Sequence, residues 1–427
     1  MPKIKPFNAV RYNKDRVKDL SKVVAPPYDV ISPREQNQLY KKDVNNIVRI
    51  ILGKVRKTDS AHDNRYTRGA SNLKKWLASG ILVRDKKPSI YIYAQKYKYN
   101  GRIINRIGFI SLLGLDLGKE TKVLPHEITL AAPKTDRLNL TRATGANLSP
   151  IFVLYEDRSR KVDSILRHFS SANAPTINVN SEGVNHKVWI LEDPSLIKII
   201  EDVLGSTNVF IADGHHRYEV GRMYAREMEK AKVSAQRLAN SKYTIAYFVE
   251  SDEKMLTVFP AHRAIKDARG LSAGDMLEKL EPYFRIKKIS GLKKMMAALD
   301  SLKKDHVFGM YAGSKDYYIL TLKSTRSSDA AIKDKPKEWK RLDVSILHQF
   351  IMKYVLGISD SDDNVEFIKS PEEAAGLAKR GNFKVVFFLN PTKAGQVREI
   401  ARIGERMPRK ATYFYPKPLS GLVINKH

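Results

Sequence analysis

Cysteine is absent from this sequence of 427 residues. That excludes a disulfide framework, a thiolate nucleophile and any cysteine-built zinc site. An apolar run long enough to cross a bilayer is also missing, and the opening Met1-Pro2-Lys3-Ile4-Lys5-Pro6 carries no apolar signal segment. A cytoplasmic protein with no membrane partner is expected. Acidic residues are in short supply, 46 against 76 basic ones, for a net charge of +30. Such a balance suits nucleic acid or an anionic surface. Here the basic residues are scattered, as in Lys14-Asp15-Arg16, Lys41-Lys42, Arg84-Asp85-Lys86-Lys87 and Lys287-Lys288. No basic tail, zinc-finger spacing or RNA-binding aromatic signature accompanies them, so nucleic acid is possible but not favoured. A hydrophobic content of 42% with 20 tyrosines excludes a disordered chain.

The length exceeds one typical core. We expect an α/β (mixed α+β) fold in three regions: 1–118 with a β-hairpin, 119–266 as a motif-rich core, and 267–427 as an α/β layer. Residues 69–80 read as a helix ending at Gly80. Residues 89–99 and 102–113 read as strands joined by Asn100-Gly101, the signal for a type I′ hairpin turn. Further strands are expected at 150–155, 186–191 and 244–249, with a helix from Asp193-Pro194 through Val203. Beyond Asp267, helices (272–280, 292–302, 343–356, 371–379) alternate with strands (307–311, 317–322, 384–389). The Ser-, Asp- and Lys-rich stretch 323–336 reads as an exposed loop.

The most informative stretch is Ile211-Ala212-Asp213-Gly214-His215-His216-Arg217-Tyr218. A β-prone run precedes it, and Glu219, Val220, Met223 and Tyr224 follow at helical spacing. Glycine at a strand-to-helix junction permits a tight turn. The amides of Gly214, His215 and His216 would then open a helix, where the macrodipole favours an anion. Arg217 adds a planar charged fork suited to phosphate.

Three other polar clusters stand out. Pro26-Pro27-Tyr28-Asp29-Val30-Ile31-Ser32 presents Tyr28, Asp29 and Ser32 on a proline-restricted backbone. Ser32 also reads as the cap of a helix starting at Pro33, and the two readings are compatible. Pro125-His126-Glu127-Ile128-Thr129, followed by Lys134-Thr135-Asp136-Arg137, is no HExxH zinc motif because Leu130 occupies the last position. It suits acid/base work near an anion, or a capped helix start. Residues 404–418 combine Arg406, Arg409 and Lys410 with Tyr413, Phe414, Tyr415 and restrictive prolines, which predicts an ordered extended segment.

These motifs, together with Pro260-Ala261-His262-Arg263 and Met407-Pro408-Arg409-Lys410, resemble the prokaryotic family called domain of unknown function 1015. Ala411 stands where serine is expected. Residues 121–225 also resemble the core of the ParB/sulfiredoxin superfamily: Pro125-His126-Glu127 as its early turn, residues 150–155 as its strand, Gly214-His215-His216-Arg217 as its phosphate turn. Sulfiredoxin activity requires a cysteine and is excluded. The Asp-Gly-His-His-Arg form is similar to the ADP-dependent free-serine kinase branch. The longer spacing from Glu127 to Gly214 implies an insertion between about Asp157 and Leu204.

The resemblance implies nucleotide-dependent phosphoryl transfer to a small hydroxylated metabolite, serine first, with ATP or ADP and Mg²⁺. Gly214, His215, His216, Arg217 and Arg137 would hold the nucleotide. Glu127 would accept the hydroxyl proton, with His126 beside it among the catalytic residues; His215 or His216 would contact the transferred phosphoryl group, and Asp213 would help hold the substrate amine or Mg²⁺. Tyr28, Asp29, Ser32, Lys410 and Lys417 would bind substrate, with the clusters meeting in one cleft. No resident transition metal is expected. The alternatives are a metal-assisted phosphatase or hydrolase using His126, Glu127, Asp213, His215, His216 and His262, and a non-catalytic nucleotide- or nucleic-acid-binding module.

Overall fold

The structure, a computed structural model, describes residues 2–118, 122–361 and 363–427. The boundary expected at 118/119 adjoins residues 119–121, outside the described residues. The fold is mixed α/β. Contacts divide the chain into two compact units. The first comprises Met1–Pro125, Thr129–Leu256 and Pro416–His427; the second comprises His126–Ile128 and Thr257–Tyr415.

A mixed sheet of nine strands organises the first unit. Its order is Val123–Leu124, Val209–Asp213, Ile151–Tyr155, Tyr243–Glu250, Arg102–Gly114, Ile90–Tyr99, Val184–Leu191, Ile177–Ser181, with Ile4–Lys5 also pairing Arg102–Gly114. The hairpin turns where the dipeptide predicts: Asn100 and Gly101 have φ of 46° and 77°, and Tyr99 faces Arg102. Both central residues adopt the positive φ that a type I′ turn requires. Strand residues with alternating side chains (Ile92, Phe109, Val153, Ile211, Phe248) build a core against Val162, Leu166, Ile197 and Ile200. The latter come from helices Lys161–Ala172 and Pro194–Gly205. Residues 157–204, where the spacing implies an insertion, thus form helix, hairpin and helix, and the hairpin extends the sheet beside Ile90–Tyr99. A second core gathers Val10, Tyr12, Ile47, Ile50, Leu73, Trp76, Leu140 and Ile424. It includes helix Arg65–Ala78, four residues longer at its start than the spacing predicts because Asn64 caps it through Tyr66 and Thr67 amides.

The second unit holds a six-stranded sheet, antiparallel throughout, in the order Phe284–Ile289, Tyr317–Leu322, Val307–Tyr311, Val385–Phe388, His262–Ile265, Val365–Ile368. Helices Leu292–Ser301 and Pro371–Lys379 contribute Met295, Leu299, Ala374 and Ala378 to its core. Two expectations need correction here. Residues 323–336 are not a loop, for Ser324 caps a helix Thr325–Ala331, with Ser328 and Ile332 buried on one face. Polar composition concealed that i, i+4 pair. The helix expected over 343–356 is α-helical only at Asp343–Ser345 and π-helical from Ile346 to Val355, closing with Leu356 N–H donating to the Ile351 carbonyl. The segment 404–415 is ordered as expected, with Tyr413–Tyr415 pairing Thr257–Phe259.

Candidate functional site

Strand Val209–Asp213 ends at Gly214, whose φ is 91°, and helix His215–Lys230 begins at once, with no side-chain cap. A Cβ on Gly214 would lie 3.0 Å from the Arg217 guanidinium and from Ile151, so glycine serves both the positive φ and the close approach. Arg217 folds back over this turn. Its Nη2 pairs with Asp213 Oδ2 at 2.5 Å and its Nη1 donates to the Pro150 carbonyl. Lys417 Nζ meets the other oxygen of Asp213, and lies 3.3 Å from Asp29 Oδ2. The result is a file of alternating charge, Asp29, Lys417, Asp213, Arg217. Its three inner side chains are 8%, 13% and 11% exposed, while Asp29 is 36% exposed. Low local dielectric strengthens such pairs and makes an uncompensated member costly.

Two polar residues on the hairpin, unnoticed in the sequence, aim Lys417. Gln95 and Arg106 face each other across the register that Asn100-Gly101 sets. Arg106 is fully buried, lies 4.8 Å from the Phe152 ring centroid, and donates to Gln95 Oε1 and the Pro416 carbonyl. Gln95 Nε2 donates to the Lys417 carbonyl at 3.2 Å. The signal was present: two long polar side chains at directly opposed positions of a mainly apolar hairpin.

Tyr28 sits on a single 3₁₀ turn, Tyr28–Val30, and its ring lies 3.9 Å from the Arg137 guanidinium. Burial raises the Tyr28 phenol above its ordinary range and Asp29 adds to this, while Arg137 and Arg217 oppose it. Arg137 is clamped by Asp136 and by the Ile51 carbonyl, and Asp136 in turn takes Arg65 and Tyr66. Tyr28, Arg137 and Arg217, with Thr141, Ser149 and Thr244, line a cavity of about 50 Å³. That is room for a few waters, against the several hundred Å³ (roughly 300 or more) of a usual ligand pocket.

The remaining candidates have other neighbours. His216 Nε2 accepts the Leu130 amide at 3.0 Å, and so caps helix Ala131–Thr144, which has no side-chain cap of its own. His215 is buried in the same turn. Ser32 forms a reciprocal capping box with Glu35, its oxygen accepting the Glu35 amide and its own amide donating to Glu35 Oε2. His126, Glu127 and Lys410 belong to the second unit. There His126 is fully buried, with Nε2 3.2 Å from Thr412 Oγ1 and 4.0 Å from Glu127 Oε1. Lys410 has an exposed side chain and a φ of 53°. Among the described residues there is no group of three or more His, Asp or Glu placed to hold a metal ion. Among the described residues no helix is long and apolar enough to cross a membrane.

Solved structures with some similarity include a conserved hypothetical protein from Pyrococcus furiosus (12% identity, 74% of this chain and 95% of that one, TM-score 0.36). A free serine kinase variant in complex with ADP matches at 14% identity over 74% of this chain and 91% of its own, TM-score 0.36. SbnI from Staphylococcus aureus, truncated at its C-terminus, matches at 12% identity over 74% and 86%, TM-score 0.34. No curated protein matches the sequence. One protein family matches residues 4–345, the greater part of the chain. The chain belongs to that family, described as "Protein of unknown function (DUF1015)".

Proposed function

We propose that this protein is a nucleotide-dependent phosphotransferase acting on a small hydroxylated metabolite, with serine the first candidate. The observation that supports this reading is Asp213, placed at the end of a strand, immediately before a glycine-opened helix, between the cations of Arg217 and Lys417. A helix N-terminus flanked by a fork and an ammonium suits phosphate oxygens. Phosphoryl transfer depends mainly on positioning and charge stabilisation, which such an arrangement supplies. On nucleotide binding, Arg217 and Lys417 share their donors with phosphate, and Asp213 gains freedom to hold the amine of a substrate or a metal ion.

Mg²⁺ usually keeps several waters and takes one or two carboxylates plus phosphate oxygens, so Asp213 would be its protein donor once Lys417, which pairs with it, has turned to phosphate. Its chemistry there would be neutralisation of phosphate charge. Glu127, the proton acceptor expected from the sequence, is tested apart from the phosphate turn.

ATP and ADP are titrated by calorimetry into the wild type, Arg217→Ala and Glu127→Gln, and phosphorylated metabolites are read by mass spectrometry. Removal of the Arg217 pair should weaken nucleotide about 10- to 150-fold, corresponding to roughly 1.5–3 kcal/mol. Arg217→Lys should recover only part of this, because lysine lacks the fork. Glu127→Gln should keep the affinity and lose turnover. Unchanged nucleotide affinity in folded Arg217→Ala protein discards the phosphate turn and the kinase reading with it.

A further inference from the structure

The first unit has a hollow of about 470 Å³ among helix Pro33–Lys42, the short helix Val48–Ile51 and helix Arg65–Ala78. It shares no residue with the Asp213 network. Five cations line it, Arg49, Lys54, Arg56, Arg68 and Lys75, and no carboxylate does. Arg68 is matched by Asp59 at 2.7 Å and Asp63 at 2.9 Å, and Asp59 also feels Arg56. The other three have no carboxylate partner among the described residues.

Arg49 donates to the Tyr40 carbonyl at 2.8 Å, and its guanidinium lies 4.5 Å from the Tyr40 ring centroid. Its Nε is buried with no hydrogen-bond partner. The Lys54 ammonium lies 4.8 Å from the same ring. Lys75 is exposed, and its ammonium makes neither ion pair nor hydrogen bond with the described residues. Cations gathered without counter-charge repel one another, and a bound anion removes that cost. The volume is that of a small-molecule site (roughly 300–1,000 Å³) rather than of a single ion. Val44 and Val55, 73% and 69% exposed, give its rim apolar surface for an organic moiety.

We propose that this hollow is a second anion site, taking a small phosphorylated molecule with at least two negative charges. The Arg49 guanidinium supplies the directional donor, and Lys54 and Lys75 supply point charge. A nucleic-acid strand is disfavoured because strand-binding grooves present successive aromatic platforms. Here the single ring, Tyr40, is already covered by Arg49 and Lys54.

The probes are inorganic pyrophosphate, ADP and a single-stranded oligonucleotide, titrated by calorimetry into four proteins. These are the wild type, Lys54→Ala/Lys75→Ala, Arg217→Ala, and Lys293→Ala/Lys294→Ala as a control removing equal charge from an exposed helix face. All four substituted lysines are exposed, so folding is expected to survive and is checked by circular dichroism. A pyrophosphate site retained in Arg217→Ala and in the control, but weakened about 10-fold or more in Lys54→Ala/Lys75→Ala, supports the proposal. It is overturned by equal affinity in that double variant, by an equal loss in the control, or by an oligonucleotide that binds where pyrophosphate and ADP do not. Because the site persists in Arg217→Ala, its failure is distinguishable from failure of the phosphate turn.

Discussion

Arg217 in the first unit and Arg263 in the second are both largely withdrawn from water, and their surroundings are opposite in kind. Arg217 faces a carboxylate, and that carboxylate faces a second cation. Arg263 is 1% exposed and faces an imidazole and carbonyls: its Nε donates to His348 Nε2 at 3.0 Å, and its other nitrogens reach the carbonyls of Ala261, Arg409 and Lys410. Because Nε2 of His348 accepts, its Nδ1 carries the proton and donates to Asp360. Burial without a carboxylate pulls Arg263 down to about 9. A guanidinium spent on backbone carbonyls holds chain in place, here the bend at Lys410 with its φ of 53°. One paired with a carboxylate, as Arg217 is, can on the function proposed above exchange that partner for an anionic ligand. Charge alone therefore does not mark a binding site; the partners do.

The largest effect expected from breaking this contrast is Arg263→Met. It strands the acceptors at Ala261, His348, Arg409 and Lys410, and should lower stability by roughly 1–3 kcal/mol for each one left buried and unpaired. Urea unfolding should show a smaller loss for Arg217→Ala, because Lys417 still pairs Asp213 when the guanidinium is gone. The reverse order would mean that Arg217 is the structural bolt. A second expectation concerns acid. Burial holds His186 and His262 down to about 3 and His427 to about 4, against an ordinary value of 6.5. Above pH 6.5 these groups are neutral whether folded or not. As the pH falls from 6.5 towards 3, the unfolded chain gains protons that the native state refuses. Stability should then decline by at most about 1.4 kcal/mol per pH unit for each histidine. Thermal unfolding from pH 7 to pH 4 measures this, and His262→Phe should flatten the slope; an unaltered slope would show that His262 is not buried neutral. The smallest effect is Ser32→Ala, which removes a cap and should cost about 1 kcal/mol while leaving nucleotide affinity unchanged. A loss of nucleotide affinity in the folded variant would show that Ser32 does more at the nucleotide site than cap its helix.

Much of the architecture was legible because its signals are local. Asn100-Gly101 announces a turn, and the pairing of Gln95 with Arg106 follows from it by counting outwards. Residues 371–379 and 307–311 coincide with the elements their patterns predict. The stretch 323–336 was misread because its helix is capped and mostly polar, with only Ser328 and Ile332 to betray a buried face. The π-helical run at 346–355 was invisible for another reason. Its apolar residues suit an α-helix equally well, and hydrogen-bond register is not written in composition.

For the site, the sequence by itself determined the strand, the glycine turn and the helix that opens at His215, since each depends on side chains a few residues apart. It also placed Ser32 as a cap. Only the tertiary structure decided whom the charges meet. Lys417 reaches Asp213 across 204 residues of chain and Asp29 across 388. Arg106 reaches the Pro416 carbonyl across 310. Such pairings depend on the path of the C-terminal segment and on strand order in the sheet. Both are set by burial of apolar surface over the whole first unit, and no local pattern of polar residues encodes them.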